Sequence, residues 1–148
     1  MRLQGAIFYL PETLVDNGMP RVGADKVLSI LKMEGVWMYA VTALSRAEAE
    51  ELLRRAGYFD CFRGVLTEGE ALCPLYGTAM LEKAQRRLRS QKADTVVFSS
   101  TRAGVEAAKS AGFRTVAVGG AAEEAEWYAM CAMADYELPR FEDWLGSE

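Results

Sequence analysis

The chain has 148 residues, 51% hydrophobic and 26% charged, with a formal net charge of −4. Those values describe one ordinary globular domain over residues 1–148, large enough to bury a core without cross-links, and they leave no electrostatic footprint for nucleic acid. Histidine is absent, which excludes Ser-His-Asp and Cys-His catalysis and every His-ligated metal site.

Leu3 to Tyr9 is a short apolar run suited to a strand buried on both faces. Pro11 and the cluster Asp16-Asn17-Gly18-Met19-Pro20 read as an irregular turn. From Ala24 the residues Ala24, Val27, Leu28 and Leu31 recur with helical spacing, and Gly35 closes that helix. Val36 to Thr42 is a second strand. Ser45-Arg46-Ala47-Glu48 has the form of a capping box, opening a helix with Ala49, Leu52, Leu53 and Ala56 inward and Gly57 at its end. Gly64 to Thr67 is a third strand, Glu68 to Tyr76 a loop, and Thr78 to Ser90 a helix carrying Leu81, Ala84 and Leu88 inward.

Asp94 to Phe98 is a β-branched strand ending in the polar cluster Ser99-Ser100-Thr101. The following helix offers small residues, Gly104, Ala107, Ala108 and Ala111, on one side, and Gly112 stops it. Arg114 to Val118 is a strand, Ala121 to Ala134 a helix, Tyr136 to Leu138 an edge strand, and Phe141 to Leu145 a last helical turn. This alternation predicts an α/β fold, a three-layer parallel sheet of five or six strands joined by right-handed crossovers, with helices on both faces. Ligands in such sheets sit beyond the carboxyl ends of the strands, which nominates Tyr9 to Thr13, Thr42 to Ser45, and Ser99 to Arg102 as one converging pocket.

The stretch from Ala6 to Asp16 resembles the first motif of the haloacid dehalogenase-like (HAD) superfamily, an apolar strand ending in D-x-D-G-T-L-V-D. Thr13-Leu14-Val15-Asp16 keeps that pattern, while Tyr9 stands at the nucleophilic Asp, Pro11 at the acid/base Asp and Glu12 at the Gly. Val41 to Arg46 resembles the second motif, and the run from Phe98 to Phe113 the fourth, F-x-D-S-x-x-G-I-x-A-A-x-x-A-G-M. Ala134-Asp135-Tyr136 looks like the terminal A-D-Y strand. At the third motif the counterpart is Leu72-Cys73-Pro74-Leu75-Tyr76-Gly77, without the lysine, and Ser100, or Ser99 under a shifted alignment, replaces the metal-binding Asp. The later motifs are most similar to the phosphoglycolate phosphatase and β-phosphoglucomutase-like branch. Only Asn17 to Gly35 lies where those relatives insert a cap domain.

The resemblance implies a Rossmann-like HAD core without a cap, and a chemistry of aspartyl-phosphate formation assisted by Mg²⁺ and lysine. With the reactive carboxylates replaced, the expectation is a catalytically inactive, phosphatase-like protein that has no cofactor and binds a small phosphorylated or polar ligand or a protein. Its contacts would be Thr13, Thr42, Ala43, Ser99, Thr101 and Arg102, against the plainer reading that these hydroxyls only satisfy strand-end backbone. The alternative is an active phosphatase with non-standard residues, Glu12 or Asp16 around a weak metal; Mg²⁺ is expected only there.

Three cysteines, Cys61, Cys73 and Cys131, lie far apart, so neither a disulfide framework nor a zinc knuckle is expected and a cytoplasmic setting is. Cys73 reads as a buried thiol. The basic run Arg86-Arg87-Leu88-Arg89 with Lys92 reads as a solvated helix end, not a nucleic-acid contact. No apolar run approaches the ~20 residues that span a bilayer, so no membrane partner is expected. Trp127, Tyr128, Met130 and Met133 crowd one helix, which sets simple burial against a homodimer or partner patch.

Overall fold

The computed structural model describes residues 2–144. Its centre is strand β1 (Gly5–Leu10), every residue of which is buried. β1 pairs in parallel with β4 (Trp37–Thr42) on one side and β6 (Thr95–Ser99) on the other. β5 (Gly64–Thr67), β7 (Arg114–Val118) and β8 (Tyr136–Leu138) complete a six-stranded sheet in the order β5-β4-β1-β6-β7-β8. All its pairings are parallel.

Successive β1 side chains alternate between two cores, as a pleat requires. Ala6, Phe8 and Leu10 join Ala24, Val27, Leu28 and Leu31 of α1 (Ala24–Met33) and Ala49 and Leu53 of α2 (Arg46–Ala56). Ile7 and Tyr9 face the other way, toward Met80, Leu81 and Ala84 of α4 (Thr78–Leu88) and Ala107 and Ala108 of α5 (Arg102–Ser110). The register that sets Phe8 opposite Phe98 stacks their rings 4.5 Å apart. Each such fully buried side chain is worth roughly 1.5–3 kcal/mol relative to exposure, so β1 is the costliest strand to disturb. The three-layer α/β architecture is therefore the expected one.

Local signals explain most boundaries. The Ser45 hydroxyl accepts from the Glu48 amide at 3.2 Å while the Ser45 amide donates to Glu48 Oε1 at 3.1 Å, the reciprocal cap that starts α2. Thr101 caps α5 by accepting from the Gly104 amide at 3.2 Å.

Differences from the sequence expectation fall on short pieces. The turn after β1 contains a hairpin, β2 (Val15–Asp16) with β3 (Met19–Pro20), turned by Asn17 and Gly18 at φ 51 and 79; an Asn-Gly pair favours that left-handed turn. Part of the expected loop at Glu68 to Tyr76 is a one-turn helix α3 (Glu68–Ala71), capped by the Thr67 hydroxyl accepting from the Glu70 amide. The helix expected from Ala121 begins later, as α6 (Glu124–Met133). The last turn is a 3-10 turn at Phe141–Asp143, and Leu145 lies outside the described residues. Only the hairpin and α1 lie between β1 and β4, so no cap domain is inserted there.

The approach of α5 to the sheet depends on Gly104, where an added Cβ would collide with the Ser99 side chain and lie 3.1 Å from Tyr9 Cδ2. Gly104→Ala should cost about 1–3 kcal/mol, the usual penalty for overpacking. A urea midpoint no lower than that of the parent would show that α5 has room to move outward.

Candidate functional site

The parallel register brings the ends of β1, β4 and β6 to one level, with Leu10 opposite Thr42 and Phe8 opposite Phe98. Tyr9 stands at the carboxyl end of β1, 1% exposed, its ring 5.3 Å from that of Tyr76 and tilted 33° to it. Its hydroxyl, with those of Thr13 and Ser100, is buried and finds no hydrogen-bond partner among the described residues. Burial, and then the neighbouring Tyr76, push the Tyr9 phenol well above its ordinary range. A phenol so placed stays neutral at physiological pH and is neither nucleophile nor anionic ligand.

The remaining strand-end hydroxyls have work elsewhere. Thr42 Oγ1 donates to the Leu10 carbonyl at 3.1 Å and accepts from the Leu44 amide at 3.1 Å. Ser99 Oγ donates to the Thr101 carbonyl at 3.0 Å and accepts from the Thr101 amide at 3.2 Å. Thr101 is the cap already described. Arg102, half-exposed, lies 3.6 Å from both Glu106 and Glu126. Ala43 is exposed on the turn after β4.

Pro11, reached through a cis peptide bond, accepts from the amides of Leu14 and Val15 and so shapes the turn. The Glu12 carbonyl accepts from Arg21 Nε at 2.7 Å. Near the third-motif segment, Lys83 donates to the Ala71 carbonyl at 2.7 Å, and Cys73 Sγ lies 3.8 Å from Met80 Sδ.

Two residues at these tips were not among the expected contacts. Tyr76 packs on Tyr9, and Arg21 reaches from beyond the hairpin to Glu12 and lies against Gly120, where an added Cβ would be 2.8 Å from Arg21 Nη1. Tyr76 follows Pro74 in the counterpart of the third motif, which is the signal that could have placed it at the site.

The model of one family, the haloacid dehalogenase-like hydrolases, matches residues 7–112. The chain belongs to that family. The HAD fold is seen in a haloacid dehalogenase-like family hydrolase of Streptococcus pneumoniae, with a TM-score of 0.80 and 11% identity, covering 95% of this chain and 96% of that one. CbbY of Rhodobacter sphaeroides, solved in complex with phosphate, has a TM-score of 0.74 and 22% identity, covering 87% of this chain and 57% of that one. A HAD phosphatase of Thermococcus onnurineus gives a TM-score of 0.73 and 20% identity, covering 84% and 55%. Among curated proteins, the bifunctional riboflavin kinase/FMN phosphatase of Arabidopsis thaliana is 25% identical over 134 residues. That match takes in 83% of this chain and 35% of the relative, so the chain spans about a third of its length.

HAD enzymes typically use Mg²⁺, so the donors at the strand tips must be tested against it. A hard divalent cation wants several anionic or strongly polar oxygens converging at about 2.0–2.1 Å. The tips of this HAD core offer the neutral hydroxyls of Tyr9, Thr13 and Ser100 and the carboxylates of Glu12 and Glu68 near the Tyr76 phenol, of which Glu68 accepts from the Leu75 amide at 2.7 Å, while Asp16 sits exposed on the hairpin. Among the described residues no three His, Cys, Asp or Glu side chains are grouped to hold a metal. The residues present do not fit Mg²⁺.

An unpaired buried hydroxyl costs roughly 1–3 kcal/mol. Tyr9→Phe should therefore raise stability by about 1 kcal/mol, seen as a thermal midpoint roughly 2–4 °C higher. A lowered midpoint would show that the hydroxyl is engaged by a bound water or ligand.

Proposed function

We propose that this chain is a catalytically inactive member of the HAD family that acts by binding a protein, its own second copy foremost. What supports inactivity is the filled reaction centre: Tyr9, neutral and packed on Tyr76, occupies the end of β1 where the family places its nucleophile. Pro11 and Ser100 at the other degenerate positions supply neither a proton nor a charged ligand. Phosphoryl transfer rests on a nucleophile and on electrostatic stabilisation of the phosphoryl oxygens, and these side chains contribute neither.

The same geometry weighs against phosphate as the ligand. Thr42 and Ser99 spend their hydroxyls on backbone, Thr101 Oγ1 accepts from the Gly104 amide and also meets the Ser99 and Tyr76 hydroxyls, and Arg102 is shared between two carboxylates. Thr13 keeps an unpartnered hydroxyl, but a single neutral group is a thin anion site.

The protein-binding half of the proposal rests on α6. Its sequence from Trp127 to Ala134 carries eight residues in a row without a charge, and a helix apolar all round is normally buried. Met130 is fully buried against Val105 and Ala117, Trp127, Met133 and Ala134 pack partly buried beside it, and Tyr128 is left 66% exposed. The exposed side of that run is Tyr128 with Ala132, next to Glu124 one turn earlier, and a two-fold pairing of the same helix would be self-complementary.

Hydrolysis of p-nitrophenyl phosphate should stay at background with and without Mg²⁺. Mg²⁺-dependent turnover that disappears in Glu12→Gln or Asp16→Asn would replace this reading with an active phosphatase of unorthodox residues. In sedimentation velocity at micromolar concentration the chain should run as a dimer and Tyr128→Glu as a monomer. A parent chain that sediments as a clean monomer would remove the α6 pairing and leave the inactivity untouched.

A further inference from the structure

The opposite end of the sheet, where the strands begin, holds an open cavity. Arg46, Arg54, Arg55, Arg102 and Arg140 each lie within 4.0 Å of a carboxylate. Arg2, Arg21, Arg63, Arg86, Arg87 and Arg89 have no carboxylate that close among the described residues, and of these Arg2, Arg63 and Arg89 line this open cavity of about 630 Å³. Glu34 and Asp94 also line it, so the cationic excess is a single charge, concentrated in a chain whose net charge is −4.

An aromatic ring shares the cavity. Trp37 begins β4, is 55% exposed, and carries the Arg63 guanidinium 4.2 Å from its ring centroid. An indole left this far in water on a strand end, with a cation on its face, is a stacking platform. Arg89 adds a second observation. It ends α4 at φ 58, in the left-handed conformation that a glycine adopts freely and other residues adopt at a cost. The backbone thus bears strain to keep an arginine there, and such strain is a pointer to function.

The cavity is also pre-formed. The Gln4 amide donates to the Asp94 carbonyl at 2.8 Å, the Trp37 amide to the Gln4 carbonyl at 3.0 Å, and the Gln91 amide to Gln4 Oε1 at 2.8 Å. These bonds tie the starts of β1, β4 and β6 together, so a guest need not order its own floor.

We propose that this cavity binds a nucleoside monophosphate or a closely similar planar aromatic anion, its ring against Trp37 and its phosphate met by Arg2 and Arg89. The volume falls within the roughly 300–1,000 Å³ of small-molecule sites. Guanidinium forks match phosphate oxygens in pairs, and the combination of exposed indole and unpaired arginines matches a ligand that is flat at one end and anionic at the other. The proposal is independent of whether the strand tips are inert, since it uses none of their residues.

Calorimetric titration of the full chain with AMP, adenosine and inorganic phosphate, at low and raised salt, tests it. AMP should bind at least about tenfold more tightly than either fragment, and its affinity should fall as salt rises. Trp37→Ala and Arg89→Gly should each weaken AMP by about tenfold or more. Arg89→Gly also relieves the left-handed strain, so it should remain folded and at least as stable as the parent, which keeps the test meaningful if Trp37→Ala does not fold. Absence of AMP binding, phosphate binding as tightly as AMP, or undiminished AMP binding in Arg89→Gly would each overturn the assignment.

Discussion

The chemistry available at the carboxyl ends of the strands is decided by one buried aromatic ring. Tyr9 projects from the middle strand of the sheet into the core beneath α4 and α5, and its neighbours are fitted to it: Tyr76 lies along one side and Gly104 leaves room for it on another. A carboxylate in that position would need cations and hydrogen-bond donors around it, because an isolated buried charge is too costly to hold. The surroundings supply an aromatic ring and a glycine, so they suit a phenol and would not suit the acid that the family uses. A carboxylate at this position would therefore need more than one side chain replaced, since Tyr76 and the close packing of α5 belong to the same arrangement.

Much of the architecture was legible because it is written in period and punctuation. The apolar run of β1, the β-branched run of β6 and the capping box at Ser45 each declare their element locally, and alternation of strand and helix then allows little but a parallel sheet. The hairpin β2–β3 escaped because two-residue strands have no period to read; only Asn17-Gly18 marks them. α3 escaped for the same reason, being one turn long. At the site, sequence gave the residue types but not their partners. Thr42 and Ser99 look like available hydroxyls until the structure shows each holding backbone groups at both ends of its hydrogen-bonding capacity. Tyr76 was marked only by its place in the third-motif counterpart, because its contact with Tyr9 joins segments far apart in the chain. The cavity of Arg2, Trp37, Arg63 and Arg89 is assembled in the same way, from four separate stretches.

Helix dipoles give the two ends of the sheet opposite electrostatic tendencies, and they show how much of each end needs explaining. At the strand tips the amino ends of α2 and α5 carry partial positive charge that would favour an anion, but Ser45 and Thr101 already cap them. At the other end α1 and α4 finish with partial negative charge, which by itself favours Lys32, Arg86 and Arg87 in their last turns. That effect fades within a turn, so it accounts for the basic end of α4 but not for Arg2 before β1, Arg63 before β5, or an indole left half in water between them. A helix end also gains nothing from forcing its terminal arginine into a left-handed backbone when glycine would serve. What dipoles leave unexplained at that end is the combination a flat anion would use, whereas at the strand tips side-chain caps occupy the amino ends of α2 and α5 and the two tyrosines fill the end of β1.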